Sequence, residues 1–228
     1  MESQKNITKF NREFDEYLKS IKGQLILKRI IDIVLSIIGI VVMAIPMIII
    51  SIAIKLNSKG PVLFRQERVG KNFQHFKINK FRTMVTDAEK KGMQITVGKD
   101  NRITSVGNFL RKSKLDEFPQ LFNVLFGEMS FVGPRPEVPK YVELYDQYQK
   151  NVLKVKPGIT DLASIEYRDE STVLAQSDDP EKAYIEEVLP TKLKLNMKYI
   201  KNMSVFYDFY LIMKTLLRII SFERIDER

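Results

Sequence analysis

Apolar residues gather into one unbroken stretch and are patterned with polar ones everywhere else. From Ile30 to Ile54 the chain reads IIDIVLSIIGIVVMAIPMIIISIAI, 25 residues with Asp32 as the single charge. At ~1.5 Å per residue this is roughly 37 Å of helix, enough to cross a bilayer. The run is too long and begins too deep in the chain for a cleavable signal, and no small-x-small site follows it. A buried core helix is the plain alternative. Pro46 removes an internal hydrogen bond and crowds the preceding turn, which predicts a bend there. Asp32 lies a helical turn from Lys28 and Arg29, and pairing with them at the interface would lower its cost.

The remaining pattern predicts short elements. Residues 1–27 read as a polar, partly helical lead-in. NSKGPVLFRQERVG (57–70) gives a Gly-Pro turn, a short strand and a loop ending at Gly70. FQHFKINKFRTM (73–84) alternates as a strand does. TDAEKKG (86–92) predicts a short helix, with Thr86 and Glu89 as a capping box and Gly92 as its stop. Leu121, Phe122, Leu125 and Phe126 mark a helix face that Gly127 ends. Prolines 134, 136 and 139 forbid a regular element in GPRPEVP, and Pro139 can open a helix carrying Tyr141, Leu144, Tyr145 and Tyr148. VKPGIT (155–160) is a Pro-Gly turn. A strand is expected around 163–167, and two amphipathic segments, 180–201 and 204–221, follow.

Charge changes the picture of the apolar run. From Met1 to Arg29 there are seven Lys/Arg against four Asp/Glu, and from Lys55 to Arg82 eight against one. The positive-inside tendency holds both flanks on the cytoplasmic side, which a single crossing cannot satisfy. A helix that enters the inner leaflet, bends at Pro46 and returns satisfies it. A straight span with a modest proline kink is the other reading. The net charge of +9 also calls for an anionic partner: nucleic acid, a phosphorylated substrate or a membrane surface.

Composition narrows the chemistry. With no Cys and only His75, thiolate zinc sites, cysteine nucleophiles and a Ser-His-Asp relay are set aside. Acids, bases and nucleophiles come from carboxylates, lysines or hydroxyls, and any metal is a hard ion such as Mg²⁺. Asp116-Glu117 is the constellation that stands out. Adjacent carboxylates usually mean only solvation and complementarity to a helix N-terminus. Here Pro119 places the pair at the start of its helix, where free N–H groups can also bind phosphate. Arg111, Lys112 and Lys114 precede the pair and Arg135 follows in a rigid Pro-Arg-Pro. Such bases keep a carboxylate ionised and can clamp a diphosphate. Lys80 and Arg82 lie beside the membrane segment, where a lipid phosphate would sit. Taken singly, each basic residue reads better as a solvated face or a lipid contact than as a site residue.

Five segments carry a resemblance: KRIIDIVLSIIGIVVMAIPMIII, GPVLFRQERVGKN, FKINKFRTM, RKSKLDEFPQLFNVLFGEMSFVGPRPEVP and KPGIT. In this order they closely resemble the bacterial sugar transferases, small monotopic polyprenyl-phosphate phosphoglycosyltransferases, over close to 200 residues from about Lys28. The resemblance implies a membrane helix bent at a proline and a catalytic domain on the cytoplasmic face of the bacterial inner membrane. It implies that Asp116 attacks the sugar-bearing phosphate of a UDP-sugar, releasing UMP. Polyprenyl (undecaprenyl) phosphate then takes the phosphosugar from the covalent adduct. Glu117 would assist, Mg²⁺ would bridge Asp116 and the diphosphate, and Arg135 would hold phosphate with Lys80, Arg82 and Arg111 in support. Downstream glycosyltransferases would extend the product into polysaccharide or glycoconjugate. The sequence departs from the family at two points. Ile45 stands where a Ser commonly precedes the bending proline. DLASIEYRDES follows KPGIT where many members read G-W-A-Q-V-x-G-R, with Arg168 alone at the family's Arg position.

The expected fold is α+β and mainly helical. It divides into a lead-in (1–27), a re-entrant membrane helix (28–56) and a catalytic domain (57–228) with few short strands near 62–83. The two C-terminal helices lie in the membrane interface or close the soluble core. A homodimer is compatible with this size. Rival readings are a catalytically silent, membrane-tethered basic module that binds lipid or nucleic acid, and a carboxylate-pair hydrolase. No helix-turn-helix, zinc or RNP pattern supports nucleic acid, and acids adjacent in sequence rarely face each other across a glycosidic bond.

Overall fold

The computed structural model describes residues 2–86, 88, 100–167 and 170–223 of the chain. Most of the helix expected at 86–92 and the candidate Arg168 lie outside the described residues.

The lead-in is a helix, α1 (Glu2–Ser20), and it joins the core: Phe14 is buried in the same cluster as Val132, Tyr141 and Ile200. The apolar run lies in α2 (Lys22–Asn57), assigned as helix throughout with Pro46 inside it. One face of α2 is bare, with Val41 and Ile45 about 70% exposed. The other face packs on the rest of the chain. A methyl group at Gly39 would come 3.1 Å from Leu121, so glycine permits a close approach there. Ile50 and Ile54 are buried with Phe81 and Leu110.

Two strands follow, β1 (Leu63–Val69) and β2 (His75–Phe81), paired antiparallel from Leu63↔Phe81 to Val69↔His75. Phe76 and Ile78 alternate inward, as the period of a half-buried strand requires. The connecting turn, Lys71–Phe73, holds Asn72 and Phe73 at positive φ. Helix α3 (Ser105–Lys112) is capped by the Thr104 hydroxyl, which accepts from the Gly107 N–H. Left-handed Lys114 then breaks the chain into a 3-10 turn, Leu115–Glu117, ahead of α4 (Gln120–Phe126). The two carboxylates therefore occupy their own turn and not the first turn of α4, because Pro119 is the helix's N-cap. Gly127, at φ +85, ends α4 as expected.

Strand β3 (Ser130–Val132) leads to the proline-rich turn and α5 (Pro139–Val142). This helix ends at Val142, so of the four residues expected on it only Tyr141 belongs to it, and Leu144, Tyr145 and Tyr148 lie beyond. Asp146 and Gln149 exchange side-chain and backbone hydrogen bonds, and that local turn competes with the helix. β4 (Gly158–Thr160) pairs parallel with β3. A Cβ on Gly133 or Gly158 would meet the opposing backbone at 2.4 and 2.1 Å, so both glycines are needed for this approach. The strand expected at 163–167 is instead a helix, α6 (Leu162–Glu166), because the Asp161 carboxylate accepts from the Ser164 N–H and caps it. α7 (Glu170–Ala175) follows, then α8 (Pro180–Ala183), which continues through a π turn at Tyr184–Val188 into α9 (Leu189–Lys201). α10 (Val205–Glu223) closes the described chain with two faces. Leu211 is fully buried, whereas Phe206, Phe209 and Leu217 are exposed.

Three side chains fasten the start of α2. Asp32 is not paired with Lys28 or Arg29 as expected; it accepts from Ser130 Oγ and Phe131 N, both at 3.1 Å. Lys28 pairs with Asp208 of α10, whose other oxygen accepts from the Tyr199 hydroxyl. Arg29 donates to the Val124 and Leu125 carbonyls at the end of α4. Buried polar groups must be satisfied, and each finds its partner across elements and not along its own helix.

Candidate active site

The 3-10 turn sets Asp116 and Glu117 against β2 and the proline-rich turn. The Glu117 carboxylate accepts from Lys80 Nζ at 2.7 Å and Arg135 Nη2 at 2.8 Å. All three groups are mostly buried, so the charges act at low dielectric. Burial alone would raise the Glu117 pKa. The charges of Arg135 and Lys80, with their hydrogen bonds, outweigh it and hold the carboxyl well below the ordinary range. Arg135 is raised in turn, chiefly by Glu117. Lys80 is lowered, by burial first, although Glu117 opposes the shift.

Asp116 has the opposite environment. It is 8% exposed and accepts no hydrogen bond from any described residue. Burial raises its pKa, the Glu117 charge adds to this, and Lys80, Lys114 and Arg111 pull the other way. Among the described residues it is thus the carboxylate of the pair left uncommitted.

Glu117 and Arg135 line a cleft of about 810 Å³. Its walls bring together Arg111, Lys112 and Lys114 from α3 and the turn after it, and Arg68 from β1. One part is apolar, with Phe118, Leu121, Ile212 and Leu216. Another part is polar, with Asp161, Ser164, Tyr167, Glu170, Tyr184 and Lys192. That polar wall includes much of the segment in which the sequence departs from the family pattern. Lys192 bridges to Glu170 at 3.0 Å and lies over the Tyr184 ring.

The expected site residues thus divide. Asp116, Glu117, Lys80, Arg111 and Arg135 gather around the turn, and Arg111 also donates to Thr83 Oγ1 at 3.0 Å. Arg82 does not join them: it is buried, and its guanidinium donates to the Ser58 and Lys59 carbonyls after α2. Its role is to close the chain onto the end of that helix, and Gly60 leaves the room it needs. Arg68 was missed. It lines the cleft, donates to the Pro136 carbonyl, lies 3.7 Å from Glu137, and keeps a buried Nε without a partner. Its only sequence signal is that it is one of two arginines in FRQERVG. Lys192 and Tyr184 were missed as well, since in sequence both read as positions of an amphipathic helix.

Among the described residues no group of three His, Asp or Glu side chains is placed to hold a metal. Mg²⁺ is commonly bound by one or two carboxylates together with substrate phosphates. Uncommitted Asp116 beside a cationic cleft fits that smaller donor set.

Comparison with known proteins supplies the rest. A family model described as bacterial sugar transferase matches residues 23–222. A UDP-glucose:undecaprenyl-phosphate glucose-1-phosphate transferase of Klebsiella pneumoniae is 38% identical over 210 residues, covering 90% of this chain and 42% of the relative. A putative undecaprenyl-phosphate N-acetylgalactosaminyl 1-phosphate transferase of Bacillus subtilis (strain 168) is 48% identical over 137 residues, 60% of this chain and 72% of that protein. The exopolysaccharide production protein PSS of Rhizobium leguminosarum bv. phaseoli is 37% identical over 200 residues, 84% of this chain and 94% of its own length. The chain spans less than half the length of several relatives, including the Klebsiella protein. The family match takes in the apolar helix, the carboxylate turn and the described walls of the cleft, and the chain belongs to the bacterial sugar transferase family.

Proposed function

We propose that this chain moves a sugar-1-phosphate from a UDP-sugar to polyprenyl (undecaprenyl) phosphate, releasing UMP, at the cytoplasmic face of the bacterial inner membrane. The observation that carries the reading is the division of labour in the carboxylate pair. Glu117 is locked between Lys80 and Arg135, while Asp116 beside it is uncommitted. The names of the relatives, which specify undecaprenyl phosphate and sugar-1-phosphates, agree with it.

In the first step an Asp116 oxygen attacks the sugar-bearing phosphorus of the donor. The bond from that phosphorus to the bridging oxygen breaks, and UMP leaves with the electron pair. In the second step an oxygen of the acceptor phosphate attacks the same phosphorus, and the Asp116 carboxylate departs. Arg135, Arg111 and Arg68 offset the negative charge that gathers on the phosphates, and Lys80 with Arg135 keeps Glu117 ionised and fixed. A Mg²⁺ ion held by Asp116 would supply further charge neutralisation at the diphosphate. The polar wall of Asp161, Tyr167, Glu170 and Lys192 takes the nucleoside and sugar. The apolar wall of Leu121, Ile212 and Leu216 takes the lipid end of the acceptor.

The membrane attachment is a re-entrant one, bent at Pro46. Supporting it, Asp32 near one end of the apolar run and Ile54 at the other both contact the same folded body. The helical rise from Asp32 to Ile54 is about 33 Å when straight, enough to cross a hydrocarbon core of about 30 Å, so one body could not meet both ends across a bilayer. The exposed apolar face of α10 lies beside this helix as an interfacial surface.

The test is UMP release from a panel of UDP-sugars with undecaprenyl phosphate and Mg²⁺, with Asp116→Asn alongside. Release by the wild type and none by the variant is the expected result, and the best donor names the sugar. A variant with undiminished turnover would eliminate Asp116 as the nucleophile.

A further inference from the structure

At the end of α4 two cations stand side by side, and neither forms an ion pair with a carboxylate among the described residues. Arg29 Nη2 and Lys156 Nζ each lie 3.2 Å from the point where a side chain on Gly127 would begin. Arg29 is anchored to the Val124 and Leu125 carbonyls. Lys156 is half-buried and forms no hydrogen bond or ion pair with any described residue. Burial, and then the Arg29 charge, lower its pKa; Asp32 opposes this, and Lys71 adds more positive charge. Asp32 is no counter-ion of their own, since it is buried and already accepts from Ser130 and Phe131. A half-buried ammonium beside a guanidinium is costly unless an anion completes it.

The surroundings say which anion. Phe126, next to Gly127, is 74% exposed, and Ile26 and Ile30 of α2 flank Arg29 with more than half their surface bare. The cation pair thus sits at the rim of the apolar face, the level at which a phospholipid's phosphate meets its acyl chains. We infer that Arg29 and Lys156, with Lys71 nearby, form a binding site for the phosphate of an anionic glycerophospholipid, separate from the reaction cleft. The inference rests on the membrane reading of α2 and α10. Glycine at 127 leaves the approach open, because any side chain there would press on both cations.

The test is native mass spectrometry of the detergent-purified chain with phosphatidylglycerol or phosphatidylcholine. Flotation on vesicles of phosphatidylcholine, with and without phosphatidylglycerol, accompanies it. The variants are Lys156→Met, Lys156→Arg and, as a control for general surface charge, Lys55→Met. We expect the wild type to retain one phosphatidylglycerol in preference to phosphatidylcholine. Lys156→Met loses that lipid, while Lys156→Arg and Lys55→Met keep it. On vesicles, Lys156→Met loses more of the phosphatidylglycerol-dependent gain than the about fivefold that one surface charge contributes. Unchanged lipid retention in Lys156→Met overturns the site, as does full displacement of the lipid by inorganic phosphate. A role confined to capping α4 predicts reduced thermal stability of Lys156→Met with no change in lipid preference, which also overturns it. Should the wild type float on neither vesicle, the membrane reading falls and takes this site with it; loss of lipid preference with flotation intact leaves that reading standing.

Discussion

Two neighbouring carboxylates face opposite electrostatics. Glu117 has a depressed pKa, so its stabilising effect is complete above the ordinary carboxylate range and fades as pH falls toward its folded value. Removing the charge with Glu117→Gln leaves Lys80 and Arg135 uncompensated and should cost about 3 kcal/mol in chemical denaturation. Asp116 runs the other way. Its raised pKa means that the ionised form costs stability at neutral pH, and that this is regained as pH falls through the folded value. Asp116→Asn should therefore melt at or above the wild-type temperature in metal-free buffer while losing transfer; a lower melting temperature would contradict the burial argument. Much of this site is legible in sequence because the bases crowd the pair within one block, 111–135. Arg68 is not legible, since Glu137 and Pro136 reach it only when β1 folds against the proline-rich turn. Arg82 misleads for the converse reason: charge in sequence says nothing about whether backbone carbonyls will claim it.

At the scale of elements, local signals served where turn chemistry decides and failed where packing does. Gly127, the alternation of 75–81 and the apolar run were readable because glycine stops, period-two patterning and length each have one physical meaning. The segment after Thr160 was not, because Ile165 and Tyr167 look strand-like until Asp161 caps a helix. The β3–β4 contact should be the least tolerant element. Gly158→Ala forces a Cβ to within 2.1 Å of backbone, so it should destabilise the fold by about 3 kcal/mol or more and disorder the turn that presents Arg135. The path of α2 has a direct test, since a chain free of cysteine accepts single probes. Ser20→Cys and Lys59→Cys should both resist a membrane-impermeant maleimide in intact cells and both react after lysis. Labelling of only one of them in intact cells would mean that the helix crosses.

On the scale of the whole molecule, the charge of +9 and the bare apolar face of α2 act at different ranges. Charge attracts the chain to an anionic surface and is screened within about 3 Å at 1 M salt. Apolar burial does not depend on salt in that way. A high-salt wash should leave the protein in the membrane fraction and detergent should release it; release by salt alone would reduce the apolar face to a minor contributor. The way α2 is fastened has a further consequence. Asp32 and Arg29 tie it to β3 and to the end of α4, with Gly39 against Leu121 between the ends. In the proposed attachment the reaction centre consequently floats at a set altitude, moored to one leaflet and blind to where the far one lies. A spanning enzyme is tuned to one hydrocarbon thickness. This one should keep its acceptor in register whether the lipid tails are long or short.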